Sequence, residues 1–373
     1  MKRFLHWSPI ALGVLFLLLL LSLQKDRALQ GKNDFVAFYA GAKLAGTPAL
    51  YDAKANIELI DSTLGVRMQR TLYIRHPFYA AVLKPLAWFP YLTSYAIFTV
   101  ATLGSFLWFI WRFSKQCPSL PFFAAFSIPL LTAESNGQDP AFLVAIVGAS
   151  ILLTRTGRDF TSGMVLSLCI LKPHLFVFIP ILLLIKKRWS MVAGGIAGTA
   201  ALTLLGIVVN GPGSIVQWIE VMRNPWINAE AEEMPNLHGL AAALHGGGLV
   251  EASLAAVVVL GFVWLTTKTD SYELLLGAAL VGGLLANFHA AISDDLLLIP
   301  VLVLVTGASS LIPLRVVSAL ILTPIPYFLA MAGPPYSAAL PAALLGLFGL
   351  FVLSESRLRS RFKTVDGFGV LQT

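Results

Sequence analysis

The chain is a series of long apolar stretches separated by short polar ones, which is the pattern of membrane-spanning helices. A straight span needs roughly 20 apolar residues, and several of these stretches are shorter than that. The pattern predicts twelve spans, which cover residues 10–23, 89–111, 119–134, 139–154, 160–172, 174–186, 190–209, 249–267, 272–288, 294–307, 312–332 and 337–354. We therefore expect an all-α, polytopic integral membrane protein with about 12 transmembrane helices in one domain, residues 1–373.

Two features leave details of the span count open. Pro173 and Pro180 fall in the region of the stretches 160–172 and 174–186, which form either one broken element or two spans. The first stretch has the length of a signal peptide, but no small-x-small cleavage site follows it at residues 22–25. We therefore expect it to be an uncleaved first helix.

Composition excludes the main alternatives to a membrane protein. Hydrophobic residues make up 57% of the chain and charged residues 12%, and the mean hydropathy is +0.80. Soluble domains carry roughly 25% charge, so a single soluble domain is excluded. Cys117 and Cys169 are the two cysteines, too few for a disulfide scaffold. The net charge of +7 is explained by basic cytoplasmic loops rather than by binding of nucleic acid.

The distribution of Lys and Arg predicts the orientation. If the N-terminus is cytoplasmic, the outer connections after residue 88 contain only Lys172 and Arg223, and nine further basic residues lie in the long segment 25–84, where the positive-inside rule loses force. Fifteen of the 26 basic residues then fall in cytoplasmic segments: Lys2, Arg3, Arg112, Lys115, Arg155, Arg158, Lys186, Lys187, Arg188, Lys268, Arg315, Arg357, Arg359, Arg361 and Lys363. The positive-inside rule thus predicts that both termini are cytoplasmic, with residues 355–373 as a cytoplasmic tail.

Two outer segments are long, residues 25–88 and residues 210–248. The first segment predicts a helix starting at Phe35 and a second helix over residues 53–71, for which Asp52 is a candidate N-cap. Amphipathic helices on the outer membrane surface would satisfy both patterns.

Polar residues at membrane depth are expensive and are functional candidates by default. On the predicted topology all of them lie on the outer side, so the site is expected to face outward. They are Asp34, the stretch 73–79 with Arg75 and His76, the stretch 134–139, Lys172, His174, His238, His245, His289, Asp294 and Asp295.

Several candidates also have a structural interpretation. Asp34 could be the N-cap of the helix that begins at Phe35, a catalytic carboxylate, or both. Residues 136–139 could form a turn followed by an N-cap, and Tyr73 and Tyr79 could belong to an interfacial aromatic belt. Lys172 could extend to the membrane surface, or it could join His174 in binding a phosphate.

The sequence favours no metal or cofactor. It contains no H-x-x-x-H or H-E-x-x-H pair, no cysteine cluster, no P-loop and no dinucleotide-binding fingerprint.

An ordered set of short motifs resembles glycosyltransferase family 87, formerly a domain of unknown function. The resemblance covers about residues 10–310, and at Arg75-His76-Pro77 the chain departs from the Tyr-Pro-Pro of many members. The motifs are Asp34-Phe35, Phe38-Tyr39-Ala40-Gly41-Ala42, Leu50-Tyr51-Asp52, His76-Pro77-Phe78, Leu83-Lys84-Pro85-Leu86, Asn136-Gly137-Gln138, Leu171-Lys172-Pro173, Phe288-His289 and Asp294-Asp295-Leu296.

The resemblance implies a type C glycosyltransferase fold in the plasma membrane. It also implies transfer of one sugar, typically mannose, from a polyprenyl-phosphate donor to a lipid or glycan acceptor on the extracytoplasmic side. In this interpretation the catalytic residues are Asp34, as general base, and His289.

The remaining candidates are assigned to the substrates. The leaving lipid phosphate needs positive charge or hydrogen-bond donors, for which we expect Lys172, His174, Arg75 and His76. The expected substrate-binding residues are Tyr39, Asn136, Gln138, Asp294 and Asp295.

The alternative function is a polytopic transporter or a lipid-linked sugar flippase without covalent chemistry. The two halves of the chain show no internal repeat, whereas many transporters are built from repeats. Few polar residues lie in the middle of the predicted spans, which also favours the enzyme.

Overall fold

The computed structural model describes residues 2–30, 32–65, 72–223, 231, 234–308 and 312–366, and within these ranges every regular element is helical. The α-helices are α1 Lys2–Leu29, α2 Phe35–Leu44, α3 Ala53–Leu64, α4 Pro77–Leu83, α5 Tyr91–Phe113, α6 Leu120–Ala125, α7 Ile128–Asn136, α8 Pro140–Arg155, α9 Asp159–Leu166, α10 Phe178–Ile185, α11 Trp189–Asn210, α12 Gly213–Met222, α13 Leu237–Ala243, α14 Gly247–Lys268, α15 Tyr272–Ala286, α16 Leu298–Ala308, α17 Ile312–Ile321, α18 Pro324–Met331 and α19 Ala339–Asp366. Short 3₁₀ helices cover Lys84–Trp88, Ser167–Leu171, Pro173–Phe176, Ile292–Leu297 and Tyr336–Ala338.

Several helices are apolar enough to cross a membrane. In the described chain, four are also long enough, namely α5, α11, α14 and the stretch Tyr336–Ser354 that includes the start of α19. The pair α17 and α18, bent by 50°, is a fifth candidate, and six further apolar helices have 10–17 residues. These helices fit a membrane protein, while the total of twelve spans stays a prediction.

The most buried helix is α15, which is hydrophobic all round. Its residues Leu274–Leu285 are all buried, and α10, α14, α16 and α19 pack around it. A helix surrounded by other helices needs no polar face, which explains why α15 lacks an amphipathic pattern.

The region around Pro173 is one of the two points that the sequence left open. Helix α9 continues as a 3₁₀ helix to Leu171, the chain breaks at Lys172 (φ −138°, ψ 70°), and a second 3₁₀ helix leads into α10. Proline disfavours the helical conformation of the residue before it, so Pro173 accounts for the extended backbone of Lys172. The break puts a buried lysine in the middle of an apolar region.

The first outer segment is packed into the protein more deeply than predicted. The prediction of an amphipathic surface helix at Phe35 is wrong, because Phe35–Ala42 of α2 are all buried. The ring of Phe35 packs against Tyr91, Tyr95 and Phe98, with centroids 5.1–5.7 Å apart. Aromatic residues thus fix α2 inside the fold.

The second predicted helix has the expected character but is shorter. It begins with Asp52, whose side chain accepts a hydrogen bond from Ala55 N at 2.7 Å, which confirms the N-cap. It ends at Leu64, because Gly65 adopts a left-handed conformation (φ 62°), and residues 66–71 lie outside the described ranges. Asn56 and Ile60 are its buried residues, so α3 is one-sided as predicted.

Tyr73 and Tyr79 do not form an interfacial belt. Both are buried, with 1% and 4% of their surface exposed. The hydroxyl of Tyr73 donates to the His76 carbonyl at 3.1 Å, and that of Tyr51 donates to the Arg75 carbonyl at 2.7 Å. The two hydroxyls hold the backbone of residues 75 and 76 in place.

Helices α9 and α11 touch through glycines. A Cβ atom built on Gly194 would overlap the carbonyl of Phe160, whereas one built on the adjacent Gly195 would lie 3.8 Å from Gly163 O, an ordinary van der Waals distance. Small residues at such positions let membrane helices approach closely.

We expect Gly194→Ala to lower the free energy of unfolding by about 1–3 kcal/mol, because overpacking forces the two backbones apart. Gly195→Ala is the matched control and should change the thermal stability of the purified protein in detergent little. Equal Tm values for Gly194→Ala and the wild type would show that α9 and α11 are not in contact.

Candidate active site

A buried network of four charged side chains joins four separate parts of the chain. Arg75 donates to Asp139 through both Nε and Nη2, at 3.0 Å each. Lys172 Nζ lies 2.5 Å from Asp294 Oδ1 and 3.6 Å from Asp139 Oδ1. The network (Arg75, Asp139, Lys172 and Asp294) contains two cations and two anions, and each residue is at most 9% exposed.

Local backbone structure brings each acidic residue into position. Helix α7 ends with Gly137 in the left-handed conformation (φ 61°), and Gln138 N donates to Ala133 O at 2.8 Å. This glycine C-cap turns the chain, so that Asp139 lies before Pro140 at the start of α8. The Asp139 side chain makes no capping hydrogen bond there and pairs with Arg75 instead.

Asp294 is oriented by the loop in front of it. Its Oδ2 accepts a hydrogen bond from Ala291 N at 3.1 Å, and its Oδ1 accepts from Lys172. Both carboxylate oxygens are therefore used, which is what a buried carboxylate requires. Asp294 thus has a structural partner on each side.

Gln138 connects the network to Asp34. Its Oε1 accepts from Lys172 Nζ at 3.1 Å and from Ser293 Oγ at 2.9 Å, and its Nε2 donates to Asp34 Oδ2. Asp34 precedes α2, but its side chain makes no capping hydrogen bond. The structure thus gives the carboxylate of Asp34 a partner other than its own helix.

Asp34 and Gln138 line a cavity of about 1120 Å³. Its apolar wall includes Leu20 and Leu23 of α1, Leu131 of α7 and Phe328 and Met331 of α18. Its polar end is formed by Asp34, Thr132, Ser135, Asn136, Gln138 and Ser293. Among the described lining residues, Asp34 is the only charged one.

A second, smaller cavity has a volume of about 20 Å³, which holds a single water molecule. Phe288 and His289 line this cavity, while Ala290 and Ala291 line the large one. Arg75, His76 and His174 also line the small cavity. The loop 288–291 therefore contributes to both spaces.

The three histidines of the small cavity differ in their partners. Both ring nitrogens of His174 and Nδ1 of His289 are buried without a partner among the described residues, and the two ring centroids lie 6.1 Å apart. His76 Nδ1 accepts from Phe78 N at 3.4 Å at the start of α4, which leaves Nε2 as the protonated nitrogen. Burial lowers the pKa of His76 to about 4, so the ring is neutral at pH 7.

Two predicted substrate residues lie apart from this centre. The hydroxyl of Tyr39 donates to the Phe89 carbonyl at 2.9 Å, and its ring packs edge-on against Tyr91 at 5.6 Å. Asp295 is 1% exposed, and its Oδ2 has no hydrogen-bond partner in the described chain. Neither residue lines the cavities described above.

Sequence reasoning misses two contributors and one pairing. Asp139 belongs to the candidate stretch 134–139, but nothing in the sequence predicts its ion pair with Arg75. Ser293 carries no signal of its own beside its two acidic neighbours. Trp218 of α12 lines the small cavity and contacts the His76 ring at a centroid distance of 4.8 Å, and no local pattern marks it.

We expect Asp139→Ala to reduce the free energy of unfolding by about 3–5 kcal/mol, because it leaves two buried cations facing one carboxylate. Glu58→Ala removes an exposed partner of Lys54 and should change the stability little. Thermal unfolding of both variants in detergent measures the difference. An Asp139→Ala protein as stable as Glu58→Ala would contradict the description of the network as a structural centre.

Comparison with known proteins identifies the family. The model of glycosyltransferase family 87 matches residues 73–300, which is more than half of the chain. The match includes the whole ion network, Gln138 and His289, while Asp34 precedes it. Searches of curated proteins and of solved structures returned no match. The chain therefore belongs to glycosyltransferase family 87 and is a membrane glycosyltransferase.

Proposed function

We propose that the protein transfers one sugar, mannose, from a polyprenyl-phosphate donor to a hydroxyl of a lipid or glycan acceptor, with Asp34 as general base. The observation that carries this proposal is the position of the Asp34 carboxylate, which is exposed at the polar end of the large cavity and held by Gln138. A hydroxyl group is a poor nucleophile, and a positioned base increases its rate of attack by roughly 10²–10⁴-fold.

The reaction is a single displacement. The acceptor oxygen attacks the anomeric carbon while its proton passes to the carboxylate of Asp34. The bond between the anomeric carbon and the phosphate oxygen breaks, and its electron pair leaves with the lipid phosphate. Attack from the face opposite the leaving group inverts the configuration, so a β-linked donor gives an α-linked product.

The large cavity suits an amphiphilic substrate. Its apolar wall is formed by helices α1, α7 and α18, and its polar end offers hydroxyl and amide groups beside Asp34. Apolar chains gain from burial along such a wall, while sugar hydroxyls need hydrogen-bonding partners. This combination supports substrates in which a sugar is attached to a lipid.

For the leaving phosphate we propose the groups beside the loop 288–291, which has to shift to admit it because the small cavity holds a single water molecule. Arg75 uses two of its five N–H groups on Asp139, and His174 and His289 have buried nitrogens without partners in the described chain. His76 contributes as a neutral donor. Lys172, in contrast, already has three acceptors around an ammonium with three hydrogens, so a phosphate oxygen would have to displace one of them.

The predicted topology completes the proposal. With both termini in the cytoplasm, Asp34 and both cavities face the extracytoplasmic side of the plasma membrane, where lipid-linked sugars serve assembly of the cell envelope. In this mechanism protein side chains stabilise the leaving phosphate, and no metal or cofactor takes part. Membership in a family of glycosyltransferases favours the enzyme over the transporter or flippase that the number of predicted spans also allows.

We expect Asp34→Asn to keep the fold and to lower sugar transfer by at least about 10²-fold, because the amide cannot accept the proton of the hydroxyl. The assay uses purified protein in lipid vesicles with labelled polyprenyl-phosphate-mannose and a total extract of lipids and glycans. Asp61→Asn, an exposed position on α3 in the same outer segment, is the matched control. Full activity of Asp34→Asn would remove Asp34 as the base.

A further inference from the structure

We propose that Gln138 is a positioning residue that aims the carboxylate of Asp34, and that it is not primarily a ligand of the substrate. The proposal rests on the function of Asp34 as the base. It gives Gln138 a different role from the substrate contact that the sequence suggested.

The surroundings of Gln138 fix which way its amide points. Lys172 Nζ can only donate, so the amide atom facing it at 3.1 Å must be the oxygen. Ser293 Oγ donates to the same oxygen at 2.9 Å. A flipped amide would put an NH₂ group against an ammonium, so Nε2 has to point toward Asp34.

The anchor of this amide is rigid. Lys172 is held between Asp139 and Asp294, and all three residues are at most 4% exposed. The acceptors around Nζ therefore stay in place when a substrate enters the cavity. A side chain anchored in this way can fix the geometry of an exposed neighbour.

The backbone next to Gln138 also fits this role. A Cβ atom on Gly137 would overlap Phe35 Cβ and the ring of Tyr95, so the end of α7 touches the first residue of α2. Gly137 is left-handed as well, which disfavours a side chain at this position for a second reason. This close approach brings Gln138 beside Asp34, which directly precedes Phe35.

The hydrogen bond from Gln138 makes the two carboxylate oxygens of Asp34 different from each other. Oδ2 accepts from the amide, whereas Oδ1 has no hydrogen-bond partner among the described residues and remains available for the acceptor hydroxyl. The amide therefore orients Asp34 by holding one carboxylate oxygen and leaving the other for the substrate.

Two substitutions separate this role from simple packing. Gln138→Met keeps the length of the side chain and removes both polar ends. Gln138→Glu keeps oxygens for Lys172 and Ser293 but replaces the amide donor with a carboxylate oxygen. Gln217→Met, on α12, is the matched control, because the Gln217 side chain makes no hydrogen bond within the described chain.

The first measurement is the steady-state kinetics of mannose release from polyprenyl-phosphate-mannose in vesicles. We expect Gln138→Met and Gln138→Glu to lower kcat at pH 7 by at least about tenfold, with KM changed less than about twofold. An unchanged kcat with a raised KM would make Gln138 a substrate ligand, and a Gln138→Glu protein like the wild type would make it an anchor for Lys172 alone.

The second measurement needs no turnover. Carbodiimide labelling of the exposed Asp34 at one fixed pH, followed by mass spectrometry, reports how accessible its carboxylate oxygens are. We expect Asp34 to be labelled faster in Gln138→Met, because Oδ2 loses its hydrogen-bond donor, and at the wild-type rate in Gln217→Met. The same labelling rate in all three proteins would overturn the proposal. Inactive Asp34→Asn together with Gln138→Met labelled at the wild-type rate would leave the base in place and reject only the role of Gln138.

Discussion

The compensation of two buried cations by two buried carboxylates is the constraint on which the rest of the site depends. Charges removed from water are tolerated only when they are paired and hydrogen-bonded, and Arg75, Asp139, Lys172 and Asp294 meet this condition together. Each residue comes from a different part of the chain, so the network forms only when the helices have assembled. The same requirement that stabilises the fold therefore also builds the centre from which Gln138 reaches Asp34.

The charged residues of the site fall into two groups, a buried network and the exposed Asp34. The network is neutral as a whole and is buried, while Asp34 is exposed and is the one charged residue among the described residues that line the large cavity. The amide of Gln138 lies between the network and Asp34. It fixes the position of the Asp34 carboxylate without adding net charge. His174 and His289 line the small cavity and have buried nitrogens without partners among the described residues, and the proposed mechanism assigns the leaving phosphate to them.

Much of this site could be predicted from the sequence, because intramembrane polar residues are rare and stand out. The residues Asp34, Gln138, Lys172 and Asp294 were all found in this way, and the break at Lys172 follows from Pro173. Which side chains pair with one another could not be predicted from the sequence. Asp139 looks like a helix cap and Asp34 looks like another, and only the assembled fold shows that neither side chain caps its helix. The burial of α2 was missed for a related reason, since its aromatic partners lie more than fifty residues away in the sequence.

The central claim is that Asp34 acts as a base in one direct displacement. The anomeric configuration of the product tests it most directly, because a carboxylate acting as a nucleophile would give two displacements and retain the configuration. The measurement is the one-bond carbon–hydrogen coupling at the anomeric carbon of the first product, formed by the purified protein from a β-linked polyprenyl-phosphate-mannose. We expect an α-linked mannose. A β-linked product would rule out a single displacement with Asp34 as the base.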